Sequence, residues 1–368
     1  LWYEAEATMS LVTASIESIA PYQAGKPLEE LARELGITDA IKLASNENPL
    51  GPSPKVVRAI QQALTELHRY PDAATYRLRE KLAERLGVSM TELLPGNGSN
   101  ELIELLVGTF ATPEHHIVFG APAFVVYRLS ALSHGVPFTA VPLRNDVHHL
   151  DAMAEAVTPR TRLLFVCNPN NPTGTYVPRS ELERFLSRVP EEVIVVLDEA
   201  YIEYADAPDF PDGLKLRHLR ERLVLARTFS KAYGLAALRV GYLVGPTKLV
   251  DYVNRVRPPF NVSSLGQVAA MAALDDREYV ERGVSLNRRE RARLAERLSA
   301  LGLQVTPSQA NFVYVRTGRS GRDIYEQLLR QGVITRPIGA EPDDLRITVG
   351  LPEENDRLLL ALEGVLKS

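Results

Sequence analysis

A chain of 368 residues is long enough to bury two hydrophobic cores. Its apolar fraction of 45% and charged fraction of 24% are ordinary for globular proteins, which excludes a disordered or fibrous chain. Basic residues number 42 and acidic residues 46, a net charge of −4 that argues against a nucleic-acid partner, and no apolar run is long enough to span a bilayer.

In chain order, Leu1 to Thr8 precede Met9 without a basic or apolar stretch, so they read as an extension rather than a signal peptide. Ser53 and Pro54 have N-cap and first-turn chemistry, and Val56, Ile60, Leu64 and Leu67 predict a helix over Lys55–Tyr70. Ser89 to Glu92 has the spacing of a capping box. Pro95-Gly96-Asn97-Gly98-Ser99-Asn100 opens a helix expected over Glu101–Phe110. Glycines there let the backbone approach a ligand, and the helix amides favour an anion. The run matches neither the Gly-x-Gly-x-x-Gly nor the Walker pattern, and taken alone it also reads as a plain turn and cap.

Three nearly continuous apolar runs follow: Arg162–Cys167, Val193–Leu197 and Leu223–Ala226. Such runs suit strands covered on both faces. Cys167, the single cysteine, reads as a buried strand residue; it has no partner for an internal disulfide, which suits a reducing, cytoplasmic setting. After Phe260 a charged helix is expected over Gly266–Ala300. Short strands follow near Asn311–Val315, Val333–Arg336 and Leu345–Val349, with helices near Arg322–Gln331 and Glu353–Leu366. No internal repeat is visible. The alternation of strand and helix makes this an α/β chain.

Each apolar run ends in a polar cluster: Asn168 to Gly174, Asp198-Glu-Ala-Tyr201, and Arg227-Thr-Phe-Ser230-Lys231. Ligands of open α/β sheets bind beyond the carboxyl ends of the strands. Adjacent strands would therefore aim Asn171, Asp198, Tyr201 and Lys231 at one crevice. Singly, an Asp at a strand end reads as a turn residue and a lone Lys as a solvated charge; their co-occurrence points to a site. Arg239, eight residues after Lys231, joins Ser230 as a candidate phosphate ligand.

Asn171-Pro-Thr-Gly174, Asp198-Glu-Ala-Tyr201 and Ser230-Lys231 with Arg239 closely resemble the fold-type-I aminotransferases that use pyridoxal 5'-phosphate. Ser45-Asn-Glu-Asn-Pro, Arg69-Tyr70-Pro71, Leu345-Arg346-Ile-Thr-Val-Gly350 and Pro21-Tyr22-Gln23 narrow the resemblance to the histidinol-phosphate aminotransferase branch. It implies a large domain whose mainly parallel sheet is sandwiched by helices, and a smaller α+β C-terminal domain. The expected division is an N-terminal extension and arm over 1–44, the large domain over 45–262 and the small one over 263–368.

The resemblance also implies roles. Lys231 carries the cofactor and moves the substrate proton, Asp198 faces the pyridine nitrogen, and Asn171 and Tyr201 face the phenolic oxygen. Gly98, Ser99, Asn100, Ser230 and Arg239 hold the phosphate, joined by Tyr70 from the neighbouring subunit of a homodimer. Phe124 stacks on the cofactor ring, where many relatives have tyrosine. Arg346, Arg336 and a Tyr22 lent across the dimer take the substrate's anionic end, with Asn171 beside them. Without the resemblance, Arg336 reads as a surface ion pair, and Tyr22 and Tyr70 as packing aromatics. Asn311 falls at a position near the site with no assigned role. The implied reaction is transamination of histidinol phosphate with 2-oxoglutarate to give glutamate. An aromatic amino-acid aminotransferase, a decarboxylase of threonine phosphate and a cofactor-sensing regulator remain alternatives. No metal is expected.

Overall fold

The structure, a computed structural model, describes residues 10–22, 25–339 and 343–367. The extension over Leu1–Thr8 and Gln23 of the Pro21-Tyr22-Gln23 motif lie outside the described residues.

A seven-stranded sheet organises the large unit. Its strands are β1 (Leu93–Gly96), β2 (His116–Ala121), β3 (Phe138–Pro142), β4 (Thr161–Cys167), β5 (Ile194–Asp198), β6 (Leu223–Thr228) and β7 (Gly241–Val244), in the order β1-β7-β6-β5-β4-β2-β3. Pairings from β3 through β6 are parallel, and β7 runs antiparallel to both its neighbours. The three apolar runs are thus adjacent central strands. Alternation along them feeds two cores. Leu164, Val166, Val195, Leu197, Leu223 and Leu225 face one layer of helices, while Leu163, Phe165, Ile194, Val196 and Val224 face the other. The same alternation sets Cys167, Asp198 and Ala226 side by side at the strand ends, in register.

A second sheet, β8 (Gln304–Thr306), β9 (Phe312–Arg316), β10 (Arg336–Ile338) and β11 (Asp344–Thr348), is antiparallel in the order β10-β11-β9-β8. The helices Gly321–Arg330 and Pro352–Lys367 and the later turns of Arg277–Ala300 close a separate core on it. Ile41–Lys42 pairs in parallel with Val333–Ile334, so the N-terminal segment is stitched to this small unit.

Four expectations shift. The helix expected to Tyr70 ends at Ala63 and continues as a short 3₁₀ turn, because Leu64 and Leu67 remain exposed and no core holds that stripe. The helix expected from Glu101 starts at Gly98, anchored where the Glu101 carboxylate accepts from Asn97 N at 2.6 Å. The long helix breaks at Asp275-Asp276 into Ser264–Leu274 and Arg277–Ala300. The strand expected over Val333–Arg336 divides at Thr335, its halves joining different sheets. Ala269, Ala270, Ala273 and Leu274 pack into the large core. Among the described residues no helix is long and apolar enough to cross a membrane.

Candidate active site

The carboxyl ends of β4, β5 and β6 open on a cavity of about 180 Å³. Its walls bring together Ser99, Asn100, Phe124, Asn171, Asp198, Tyr201, Ser230, Lys231, Arg239, Arg336, Arg346 and Tyr22.

At the floor, Asp198 is 2% exposed. Its Oδ2 accepts from the hydroxyl of Tyr127 at 2.6 Å, and its Oδ1 from Ala200 N at 3.2 Å. Burial raises its pKa to about 6, against the pull of those two hydrogen bonds. Next to it, Glu199 is held away from the cavity: its carboxylate accepts from Arg227 Nε and from Gly213 N, both at 2.8 Å.

Lys231 sits opposite. Its Nζ donates to the carbonyl of Ser45 at 3.2 Å and lies 5.7 Å from the Tyr201 ring centroid. Burial, then the charge of Arg346 and more weakly that of Arg239, lowers its pKa to about 8. At neutral pH the neutral amine is then roughly a tenth of the population, against about one part in three thousand for an unperturbed lysine.

Arg239 builds an anion cup. Its own backbone is left-handed, at φ 53°, and its Nη1 reaches Ser230 Oγ at 3.4 Å. Gly98 has φ 79°, and a Cβ there would lie 2.6 Å from Arg239 Nη2. The glycine is therefore required both by the turn and by the guanidinium packed against it. Ser99 and Asn100 follow in the first turn of a 13-residue helix, whose N-terminal amides add positive potential.

At the mouth, Arg346 on β11 donates through Nη1 to Asn171 Oδ1 and through Nη2 to Ala44 O, both at 2.6 Å. Its Nε is buried with no partner among the described residues. Arg336 stands beside it in register and lies 5.5 Å from the Tyr22 ring centroid. Burial lowers the Arg346 pKa, and the like charge of Arg336 adds to that effect. Among the described residues no carboxylate forms an ion pair with Lys231, Arg239, Arg336 or Arg346, although 21 ion pairs exist elsewhere. Four cations that form no ion pair among the described residues, facing one cavity, describe a receptor for anions.

One expectation differs from the geometry. Tyr22 was expected from a neighbouring subunit but lines the cavity of its own chain, because the N-terminal segment runs along the small sheet and brings the ring over Arg336. Tyr70, expected at the site of a neighbouring subunit, lies away from the cavity of its own chain; it is 81% exposed and stacks on Phe260 with centroids 4.7 Å apart. Arg336 is not the surface ion pair its bland reading suggested. Cys167 is buried, and burial holds its thiol far above the usual range, so it remains an inert strand residue.

Sequence reasoning missed Tyr127 and Asn46. Tyr127 follows Phe124 by three positions, and the two rings meet edge to face at 5.9 Å. That spacing was a usable signal. Asn46 was quoted only as part of a motif, yet its Nδ2 donates to the Tyr201 hydroxyl at 2.9 Å. Asn311, left without a role, donates through Nδ2 to Asn46 O at 3.0 Å.

The residues fit a phosphate-bearing aldehyde of a protonatable ring. The glycine-backed cup suits the phosphate, an Nζ held in no ion pair among the described residues suits the aldehyde carbon, and the buried Asp198, also in no such ion pair, suits a ring N–H. Phe124 supplies an apolar face between them.

The family described as "Aminotransferase class I and II" matches residues 38–362. The chain is 49% identical to a histidinol-phosphate aminotransferase of Anaeromyxobacter sp. (strain Fw109-5), over 97% of this chain and 100% of that protein. It is 45% identical to another from Halalkalibacterium halodurans, over 96% of this chain and 97% of the relative. Among solved structures it resembles histidinol-phosphate aminotransferase from Sinorhizobium meliloti in complex with pyridoxal-5'-phosphate, with a TM-score of 0.88 and 29% identity over 99% of both chains. The chain belongs to the class I and II aminotransferases.

Proposed function

We propose that this enzyme transaminates L-histidinol phosphate with 2-oxoglutarate, yielding imidazole-acetol phosphate and glutamate in histidine biosynthesis, with pyridoxal 5'-phosphate as cofactor. The carrying observation is the presence of two unpaired cation sites in one cavity, Arg239 at one end and the Arg336–Arg346 pair at the other. One takes the cofactor phosphate and the other the substrate's anionic end; a dianion suits two guanidiniums better than one carboxylate does. The relatives' names support the same reading.

Bound there, the cofactor supplies an electron sink for charge leaving the substrate Cα. Lys231 would hold it, and its Nζ would take up the proton from Cα, a task favoured by the pKa of about 8. Asp198, fixed by Tyr127 and Ala200, would pair with the ring nitrogen and favour its protonated form. Asn171 and Tyr201 would hold the phenolic oxygen, and Phe124 would cover the ring.

A homodimer is part of the proposal. Leu64, Leu67, Tyr70, Tyr76, Val256 and Phe260 are exposed apolar residues, and Tyr70 and Phe260 are stacked on one another. A second subunit covering them would bring its own Tyr70 to the phosphate cup. A cytoplasmic location is also proposed, supported by the single buried cysteine.

The aromatic aminotransferase reading keeps one supporting observation. A neighbouring chamber of about 570 Å³ shares Tyr22, Phe124, Arg336 and Arg346 and is walled by Phe119, Phe138 and Ile338. Steady-state kinetics on histidinol phosphate beside phenylalanine, for the wild type and Arg336→Ala, tests both. Arg336→Ala lowers kcat/KM for histidinol phosphate by about tenfold to a hundredfold. The glutamate half-reaction falls less. An equal fall in both half-reactions makes Arg336 a general anion residue, and no fall in either favours the aromatic substrate.

A further inference from the structure

Tyr201 lines the cavity, and the direction of its hydroxyl proton is fixed by a chain of hydrogen bonds that starts at a backbone amide. The N–H of Asn46 donates to Thr348 Oγ1 at 2.9 Å. A backbone N–H has no alternative to donating, so this hydroxyl accepts there and sends its own proton elsewhere. The Asn46 side chain lies 3.2 Å away and takes that proton on Oδ1. With Oδ1 so assigned, Nδ2 is the atom that meets the Tyr201 hydroxyl, at 2.9 Å. The Tyr201 oxygen is therefore an acceptor toward Asn46. Its proton leaves in another direction, and among the described residues no acceptor for it is present within hydrogen-bonding distance.

The rest of the surroundings hold this arrangement rigid. Asn46 has φ 56°, a left-handed backbone that asparagine tolerates. Its carbonyl is gripped by Asn311 Nδ2 at 3.0 Å. The preceding residues are held too, Ser45 O by Lys231 and Ala44 O by Arg346. Burial keeps the Tyr201 phenol protonated, so the proton is always there to be directed. Tyr201, Ser45 and Asn46 all line the cavity.

We propose that Asn46 is a positioning residue: locked by Thr348 and Asn311, it makes Tyr201 an obligatory donor into the cavity, toward the phenolic oxygen of the bound cofactor. The inference rests on the reading that Tyr201 faces that oxygen, and it adds what sets the polarity of the contact. It also gives Thr348 and Asn311 a task. Both lie in the C-terminal unit, so the polarity of a contact made by Tyr201, beyond β5 of the large sheet, is set from the small one.

The test is a pH titration of the holoenzyme's visible absorbance, read without turnover. Tyr201→Phe removes a hydrogen bond to a charged acceptor and raises the midpoint by roughly one to two pH units. Asn46→Asp turns a donor into an acceptor at nearly constant shape. Tyr201 then donates to the new carboxylate, and the midpoint rises at least as far. Part of that rise is the new charge itself, so Asn46→Asp is also made in the Tyr201→Phe background, where there is no proton left to redirect. The rise there is smaller than in the wild-type background, and this non-additivity is the signature of the proposal. Asn46→Gly suits the left-handed backbone and guards against misfolding. It lets the hydroxyl rotate, and it raises the midpoint by less than Tyr201→Phe. Equal shifts for Asn46→Asp in the two backgrounds overturn the proposal. So does a wild-type midpoint in Asn46→Asp or Asn46→Gly when Tyr201→Phe moves it. If Tyr201→Phe leaves the midpoint in place, the reading of Tyr201 fails first and the proposal falls with it.

Discussion

Replacing Gly98 by alanine separates backbone strain from the phosphate cup. Gly98 has φ 79°, where an L residue costs about 1–2 kcal/mol. Gly36, at φ 71°, provides the control, because a Cβ there meets nothing within 4 Å. Gly36→Ala should therefore lower stability by about 1–2 kcal/mol and leave cofactor affinity alone. Gly98→Ala carries the same strain and a second effect. Its Cβ would sit 2.6 Å from Arg239 Nη2 and 3.0 Å from Cζ, so the guanidinium must swing off the cup. Each charge-assisted hydrogen bond lost from the phosphate is worth about 1.5–3 kcal/mol, so affinity falls by about tenfold to more than a hundredfold. The assay titrates each apo-protein with pyridoxal phosphate and with pyridoxal, which lacks the phosphate, and records Tm for each variant. The expected pattern is a large loss for pyridoxal phosphate, little for pyridoxal, and matched Tm losses for the two variants. Wild-type affinity for pyridoxal phosphate in Gly98→Ala, or an equal loss for both ligands, would show that Arg239 is not the phosphate ligand.

Lys231→Ala abolishes transamination and the visible absorbance of the bound cofactor; wild-type turnover in the purified variant rules this lysine out. In the wild-type apo-protein, the rate of cofactor association rises with pH through about 8, the folded pKa of Lys231, rather than near 10.5. A rate still climbing above pH 10 contradicts the buried, cation-flanked amine. Asp198→Asn folds but loses most activity, since a neutral amide cannot hold the ring nitrogen protonated. Because the Asp198 pKa rises from 3.8 to about 6 on folding, its stabilisation of the apo-protein is complete below pH 3.8 and is lost as pH rises through about 6. The apo-variant should therefore gain on the wild type by about 3 kcal/mol across that window, and parallel Tm-versus-pH curves would speak against the buried carboxylate. Finally, the active species sediments as a dimer; a fully active monomer removes the proposed role of Tyr70.

Much of the site could be read from local sequence because strand ends are local features. Asp198, Asn171 and Lys231 sit where an apolar run stops, and a parallel sheet carries such stops to one edge. The anion cup was legible in Gly98-Ser99-Asn100 for the same reason. What escaped depends on packing between distant segments. The helix predicted to Tyr70 ended early because whether Leu64 and Leu67 are covered is not written in their spacing. Four strands of the large sheet went unread. Of these β2 carries His116 and Gly120, and β1 carries Pro95 and Gly96, residues that blur an apolar run. Tyr22 lies on the wall of its own chain's cavity because the N-terminal segment lies along the C-terminal sheet, a contact between opposite ends of the sequence. Tyr127 and Asn46 act through side chains on other elements, and no short window contains both partners.

The two-residue ladder between Ile41–Lys42 and Val333–Ile334 bears on how the enzyme matures on the ribosome. Ala44, Ser45 and Asn46 are delivered to the cavity by a segment whose strand partner is synthesised long after it. The seven-stranded sheet, with its lysine and carboxylate, is complete in sequence by Val244, well before that partner emerges. A nascent chain at that stage has a reactive amine but no Asn46 lock, no Arg346 and no small unit to close the mouth. Completion of the catalytic centre is thereby deferred until the small unit has emerged, so that only a chain carrying Thr348 and Arg346 presents Tyr201 and Lys231 in their working surroundings.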